Sequence, residues 1–215
     1  MLSPKEYIVE KIRRKEFGIG LETDADARMV INKQNERLHR ALKNLSDDLY
    51  TKETHFVLEL IQNAEDNNYD KGVEPYIKFI IDEDKITIEN NEKGFSAENV
   101  SAICDVGKTT KTKAKGYIGE KGVGFKSVFK TSNEPHIFSN EFQFKFKHED
   151  KNDILGFVVP YWVEELPESI DKNITTIVLP LKDEFRGELS KFDDIDATLI
   201  LFLKKLKGFS FEDRV

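Results

Sequence analysis

The spacing of apolar residues changes near residue 76, and this change constrains the fold more than any other feature of the chain. Upstream, apolar side chains recur every three or four residues, as on amphipathic helices, at 4–16, 38–49 and 54–68. Downstream, apolar and polar residues alternate, as in half-buried strands, at 76–88, 138–146 and 174–181. Strands and helices do not alternate regularly, so we do not expect a parallel Rossmann sheet.

Finer patterns predict the individual elements. Asp24 or Asp26 could cap a second helix towards Asn35, and a third helix would end near Leu49. Residues 82–84 predict the turn of a β-hairpin. The remaining expectations are short helical segments at 97–105 and Phe125–Thr131, strands at Gly156–Tyr161 and Ile174–Leu181, and an apolar helix from Asp193 to Leu206.

Composition excludes several classes of protein. The single cysteine, Cys104, rules out an intramolecular disulfide and favours a reducing, cytoplasmic location. The four scattered histidines show no zinc-ligand spacing. A net charge of −7 argues against direct nucleic-acid contact by this domain. No apolar run approaches the roughly 20 residues of a membrane helix, so we expect no membrane contact.

Glu59, Asn63 and Asp66 are spaced by four and three residues and therefore share one face of the predicted 54–68 helix. An acid, an amide and a second acid in line suit a hydrated Mg²⁺ and a water nucleophile. Taken alone, the same spacing is more often a solvated helix face, and we prefer that interpretation for the isolated motif.

A glycine-rich stretch, Gly119-Glu-Lys-Gly122-Val-Gly124, precedes Phe125 and the short predicted helix. Glycines let the backbone approach a ligand, and free N–H groups at a helix start can bind phosphate. The stretch lacks the GK[ST] ending of a Walker A motif, so a P-loop NTPase is not supported. In isolation, it is equally well a flexible loop.

Residues Asn90 to Gly94 directly follow the Ile86–Ile88 strand. The Asn90 amide oxygen could accept a hydrogen bond from an adenine amino group. In isolation, a loop after a hairpin is the simpler interpretation.

Taken together, the three motifs resemble those of the GHKL (Bergerat-fold, Hsp90-like) ATPases. Glu59-xxx-Asn63-Ala-x-Asp66 resembles the N-box, Asn90 to Gly94 the first glycine box, and Gly119 to Gly124 the second. The strings QNAEDN, NNEKGFS and GYIGEKGVGFKSVF are most similar to the sacsin/No Vein-like branch.

The resemblance implies a role for each matching residue. Glu59 would be the catalytic base, Asn63 would hold Mg²⁺, Asp66 would line the nucleotide pocket, and Gly94 would pass close to adenine. Residues 106–115 would form an ATP lid in which Lys108 or Lys111 approaches phosphate. The backbone N–H groups that would bind phosphate belong to Gly119, Gly122, Val123, Gly124 and Phe125. Thr175 matches a threonine that helps to bind adenine through water.

One position departs from the family pattern. The usual first glycine box begins with an aspartate, whereas this chain has Asn90, with Glu92 in place of the first glycine. A neutral amide accepts a weaker hydrogen bond than a carboxylate. We therefore expect weaker adenine binding, with the magnesium–triphosphate chemistry retained.

We predict a two-layer α/β sandwich in which a mixed, mostly antiparallel sheet is covered by helices on one face. Residues 1–34 would form an N-terminal helical arm, and residues 35–215 the ATP-binding domain of a larger protein. The expected activity is slow Mg²⁺-dependent ATP hydrolysis, with a closed state that drives homodimerisation or a partner domain, in a chaperone-like or defence-related protein. The alternative is a non-catalytic nucleotide- or protein-binding module. A histidine kinase domain is a weaker third interpretation.

Overall fold

The expected α/β architecture is confirmed by a computed structural model, which describes residues 2–49, 55–105, 124–148, 155–186 and 203–214. The α-helices of these residues are α1 (Pro4–Phe17), α2 (Ala25–Leu49), α3 (His55–Asp66) and α4 (Ala97–Ile103). The strands are β1 (Tyr76–Ile81), β2 (Lys85–Asn90), β3 (His136–Ser139), β4 (Phe142–Lys145), β5 (Tyr161–Trp162), β6 (Thr175–Pro180) and β7 (Gly208–Asp213). The same described residues include two 3₁₀ helices, Gly124–Lys130 and Asp183–Phe185.

The seven strands form one sheet in the order β5-β4-β3-β6-β2-β1-β7. Every neighbouring pair is antiparallel except β1 and β7, which run parallel. The β1–β2 hairpin turns at residues 82–84, as the acidic tripeptide predicts. The sheet is therefore mixed and mostly antiparallel, as expected.

One face of the sheet is apolar and faces the helices. In register across β1, β2 and β6, Phe79 lies opposite Ile88, which lies opposite Ile177. All three side chains belong to a single core to which α1, α3 and α4 also contribute. Residues between them in the strands, such as Lys78 and Glu89, point to the opposite face because side chains alternate along a strand. This arrangement is a two-layer sandwich.

The N-terminal helix α1 packs against β4 and β5. It starts with a capping box between Ser3 and Glu6, and it buries Val9, Ile12 and Phe17. A further contact comes from Arg13, whose guanidinium lies 4.4 Å from the ring centre of Tyr161. The predicted boundary at residue 34 lies inside α2, and α1 shares the common core.

Three expectations about elements are wrong. The second and third predicted helices form one continuous helix, α2, with Asp24 accepting a hydrogen bond from Ala27 at its start. Gly156–Tyr161 is mainly a turn, since Leu155 accepts the N–H groups of Val158 and Val159. The predicted final helix lies outside the described residues at 193–202. Its remaining residues, 203–206, are not helical, and the strand β7 follows them.

Candidate functional site

Helix α3 separates an apolar face from a polar one. The apolar face is formed by five buried residues: Phe56, Val57, Leu60, Ile61 and Ala64. Glu59 and Asn63 remain partly exposed, whereas Asp66, at the end of the helix, is only 8% exposed. Glu59 and Asn63 therefore retain some access to solvent, whereas Asp66 is buried at the end of the same face.

The carboxylate of Glu59 lies directly against Gly124. A Cβ atom built on Gly124 would be 2.0 Å from Oε2 of Glu59 and 2.9 Å from its Cδ. Only glycine leaves room for this approach. Gly124 begins the 3₁₀ helix, and Glu59 is the predicted catalytic acid. The fold thus places these two residues in contact although they are distant in sequence.

A buried lysine holds that 3₁₀ helix in place. The ammonium of Lys126 donates to the carbonyl oxygens of Ile103 at 2.5 Å and Phe157 at 2.6 Å, and lies 4.4 Å from the ring centre of Phe146. Burial lowers the pKa of Lys126 to about 8, because an ammonium inside protein loses its hydration. Lys126 therefore joins the end of α4 to the residues that follow Gly124.

The apolar face of the sheet ends in a row of three polar side chains on neighbouring strands. Asn90 of β2 pairs with Thr175 of β6, and the Thr175 hydroxyl lies 2.5 Å from that of Ser139 on β3. All three residues are at least 94% buried. Register thus brings together the two residues expected at adenine, Asn90 and Thr175. Sequence reasoning missed Ser139, whose only signal was its place two residues after Ile137 on the inward face.

The Asn90 amide is held by three groups beside the end of α3. Its Nδ2 donates to the carbonyl oxygen of Tyr76 at 2.5 Å and to the Tyr69 hydroxyl at 2.9 Å. Its Oδ1 accepts from the Asn67 amide at 3.3 Å. A carbonyl can only accept, so the contact with Tyr76 identifies the nitrogen of Asn90. Burial raises the pKa of Tyr69 to about 12, so this hydroxyl stays protonated and donates to Ala64 at 2.7 Å.

Glu92 and Gly94 form the turn after β2. One carboxylate oxygen of Glu92 accepts a 2.8 Å hydrogen bond from Thr175. Burial raises the pKa of Glu92, and the Thr175 hydrogen bond opposes that rise. Gly94 has a φ of 85°, and a Cβ atom there would be 2.6 Å from Cβ of Asn140. Glycine is therefore required at 94, for contact with the β3–β4 turn.

Glu65, between Asn63 and Asp66 in sequence, has a structural role that sequence reasoning missed. Its carboxylate accepts the backbone N–H groups of Lys204, Lys205 and Leu206 at 2.8–3.1 Å. Burial raises its pKa, but these three donors outweigh that effect and the net pKa is lowered. Glu65 thus ties α3 to the segment that leads into β7.

Five of the predicted phosphate-binding residues, Lys108, Lys111, Gly119, Gly122 and Val123, lie outside the described residues, as do residues 106–115. Phe125 is described. Its side chain is 8% exposed, and its ring centre lies 6.0 Å from that of Phe146, so the ring belongs to the core. Any contact of Phe125 with phosphate would come from its backbone.

The chain matches the Sacsin domain family over residues 35–147, which is more than half of its length. This chain belongs to the Sacsin domain family. Over 220 residues it is 40% identical to "Protein NO VEIN" of Arabidopsis thaliana, an alignment that covers 93% of this chain and 8% of that protein. The Sacsin domain match includes α3, the β1–β2 hairpin, Gly124 and Ser139. Within the described residues, no helix is long and apolar enough to cross a membrane.

Proposed function

We propose that this Sacsin-family domain binds ATP with Mg²⁺ and hydrolyses it slowly. The observation that carries the proposal is the position of α3 between two sets of predicted ligand residues. Near its start, Glu59 touches Gly124, and beyond its end, Asn67 binds Asn90, the partner of Thr175. From Glu59 to Asp66 the helix rises about 10 Å, so one helix face could run beside a nucleotide.

The side chains on this face suit magnesium. Among the described residues, no group of three or more His, Cys, Asp or Glu side chains could hold a metal by itself. Mg²⁺ commonly binds one or two protein oxygens, substrate phosphates and water. The Asn63 amide oxygen, one turn from Glu59, would supply the protein ligand, and the ion would offset the phosphate charge.

Glu59 would orient the attacking water and accept its proton. Its carboxylate is partly exposed and lies beside the start of the 3₁₀ helix, where backbone N–H groups can meet phosphate. Lys126 fixes the 3₁₀ helix to the end of α4 and so stabilises the position of Gly124 beside Glu59. Asp66 would line the pocket near the sugar.

A second candidate function is nucleotide or protein binding without catalysis. It is favoured by Asn90, whose neutral amide already binds Asn67, Tyr69 and Tyr76. A side chain held this firmly would contribute little to adenine affinity, so binding would be weak.

We further propose that the domain acts as a conformational switch in a larger cytoplasmic protein. The chain spans about 8% of the relative that it matches, so additional domains are expected. ATP binding would favour a closed state that drives homodimerisation or moves a partner domain, in a chaperone-like or defence-related process.

The test measures ATP affinity by calorimetry and phosphate release for the wild type, Glu59→Ala and Asn63→Ala. Glu89→Gln, on the opposite face of the sheet, is the control. We expect binding without hydrolysis in Glu59→Ala, and loss of the magnesium dependence of binding in Asn63→Ala. Binding without hydrolysis in the wild type would favour the second function. The absence of binding at millimolar ATP would refute nucleotide binding altogether.

A further inference from the structure

We propose that Glu92, rather than Asn90, accepts the hydrogen bond from the amino group of adenine and so selects the base. This inference rests on the proposed nucleotide binding and specifies the residue that distinguishes adenine from other purines. Glu92 occupies a position where the GHKL pattern has glycine.

Asn90 is poorly placed for this role because its hydrogen bonds are already made. Both hydrogens of its amide nitrogen are donated, to Tyr76 and Tyr69, and its oxygen faces the Asn67 amide. The side chain is 6% exposed. Releasing the oxygen for a base would mean breaking a partly buried hydrogen bond just beyond the end of α3. Asn90 therefore joins β2 to α3.

Glu92 is held by a chain of hydrogen bonds whose direction is determined. The Phe95 backbone N–H donates to the Ser139 hydroxyl at 2.9 Å. Glu92, when ionised, can only accept, so Thr175 must donate to it, and Ser139 must in turn donate to Thr175. The hydroxyls of Ser139 and Thr175 thus each accept one hydrogen bond and donate one, which orients one oxygen of Glu92 and leaves the other available.

Among the described residues, the second oxygen of Glu92, Oε2, has no hydrogen-bond partner. The side chain is partly exposed, and it extends from the polar row formed by Asn90, Thr175 and Ser139. Burial has removed part of its hydration, as its raised pKa indicates. A partly desolvated carboxylate gains from a new donor, and the amino group of adenine is such a donor.

The same chemistry discriminates among bases. Adenine carries an amino donor where guanine carries the O6 acceptor. A carboxylate would attract the first and repel the second. Thr175 thus acts through Glu92, as a positioning residue, in addition to any contact of its own.

The experiment measures the affinities of ATP, GTP and purine riboside triphosphate, which lacks the 6-amino group. The proteins are the wild-type chain, Glu92→Gln, Glu92→Ala and Asn90→Ser, with Glu89→Gln as the charge control. A hydrogen bond to a charged group is worth about 1.5 kcal/mol or more, so the wild type should prefer ATP to the desamino analogue by roughly tenfold. This preference should shrink in Glu92→Gln, vanish in Glu92→Ala and persist in Asn90→Ser and Glu89→Gln.

Three outcomes would overturn the inference while leaving nucleotide binding intact: equal wild-type affinities for ATP and the analogue, a preference that survives in Glu92→Ala, or a preference for GTP. Tighter ATP binding by Glu92→Ala would show that Glu92 obstructs the base, and it would also overturn the inference. If the wild type bound no triphosphate at millimolar concentration, the proposed function itself would fail.

Discussion

Glu65, where α3 meets residues 204–206, and Glu92, in the turn after β2, are acidic side chains in contrasting surroundings. Glu65 accepts three backbone N–H groups and its pKa is lowered. Glu92 accepts one hydroxyl and its pKa is raised. A carboxylate surrounded by donors stabilises the fold, whereas one that is partly desolvated with a single donor retains capacity for a ligand. Glu65 thus has a structural role, whereas Glu92 is the side chain that we propose for ligand binding.

The largest expected effect is on stability, from Glu65→Ala. The change removes the acceptor of three backbone N–H groups. Since hydrogen bonds to charged groups are worth more than neutral ones, we expect the free energy of unfolding to fall by about 3 kcal/mol. Urea denaturation would measure it, with the exposed Glu83→Ala as control. Glu92→Ala should change the free energy of unfolding far less. An equal loss in both variants would contradict the contrast between Glu65 and Glu92.

Gly124→Ala tests whether Glu59 belongs with Glu92 as a functional acid. The new Cβ would lie 2.0 Å from Oε2 of Glu59, which must move by an ångström or more, while the backbone can remain in place. Such a misplacement can reduce a rate by about 100-fold, so we expect hydrolysis to fall by that order while ATP still binds. The control is a double-mutant cycle. Phosphate release is also measured for Glu59→Ala alone and for the double variant that carries both substitutions. A further loss from Gly124→Ala in the Glu59→Ala background would contradict the explanation.

Gly94→Ala tests how firmly the turn positions Glu92. The alanine would combine a φ of 85° with a Cβ contact of 2.6 Å to Asn140. We expect the free energy of unfolding to decrease by about 2 kcal/mol, measured by urea denaturation. Gly72 is a matched control, because it has a φ of 84° and no neighbour within 4 Å of a Cβ. The Gly94 variant should lose more than Gly72→Ala, and equal losses would show that the Asn140 contact is unimportant.

The smallest expected effect is in the pH dependence of stability. Because the pKa of Glu65 is lowered on folding, its stabilisation is present above 4.5 and is lost as pH falls through the folded value. Because the pKa of Glu92 is raised, its contribution has the opposite sign, and stability declines as pH rises from 4.5 through the folded value. Denaturation at several pH values should therefore show that Glu65→Gln weakens the loss of stability in acid. Glu92→Gln should remove the decline in the free energy of unfolding above pH 4.5. If the two substitutions changed the slope of stability against pH in the same direction, the opposite pKa shifts of Glu65 and Glu92 would be refuted.

Local patterns were sufficient to predict several elements. The four-residue spacing of Phe56, Leu60 and Ala64 identified α3, and alternation identified the β1–β2 hairpin and β6. These predictions succeeded because each element buries one face, and its period follows from its own geometry. The same reasoning placed Glu59, Asn63 and Asp66 on one face.

The errors arose where distant contacts override local preference. Residues 156–161 are rich in β-branched and aromatic side chains, yet Leu155 accepts two N–H groups there and the chain turns. β7 was missed because Phe209 and Phe211 acquire their strand character by parallel pairing with β1, a strand far away in sequence.

The sequence by itself determined α3, the β1–β2 hairpin, β6, the α/β class, the resemblance to GHKL motifs and the shared face of Glu59 and Asn63, since all depend on spacing within short segments. Only the tertiary structure decided which acidic side chains accept several backbone N–H groups and which accept a single hydrogen bond. Glu65 meets residues 204–206, Glu92 meets Thr175, and Asn90 is held by Asn67 and Tyr69. Those contacts depend on strand register and helix packing, which bring together residues that no local period connects.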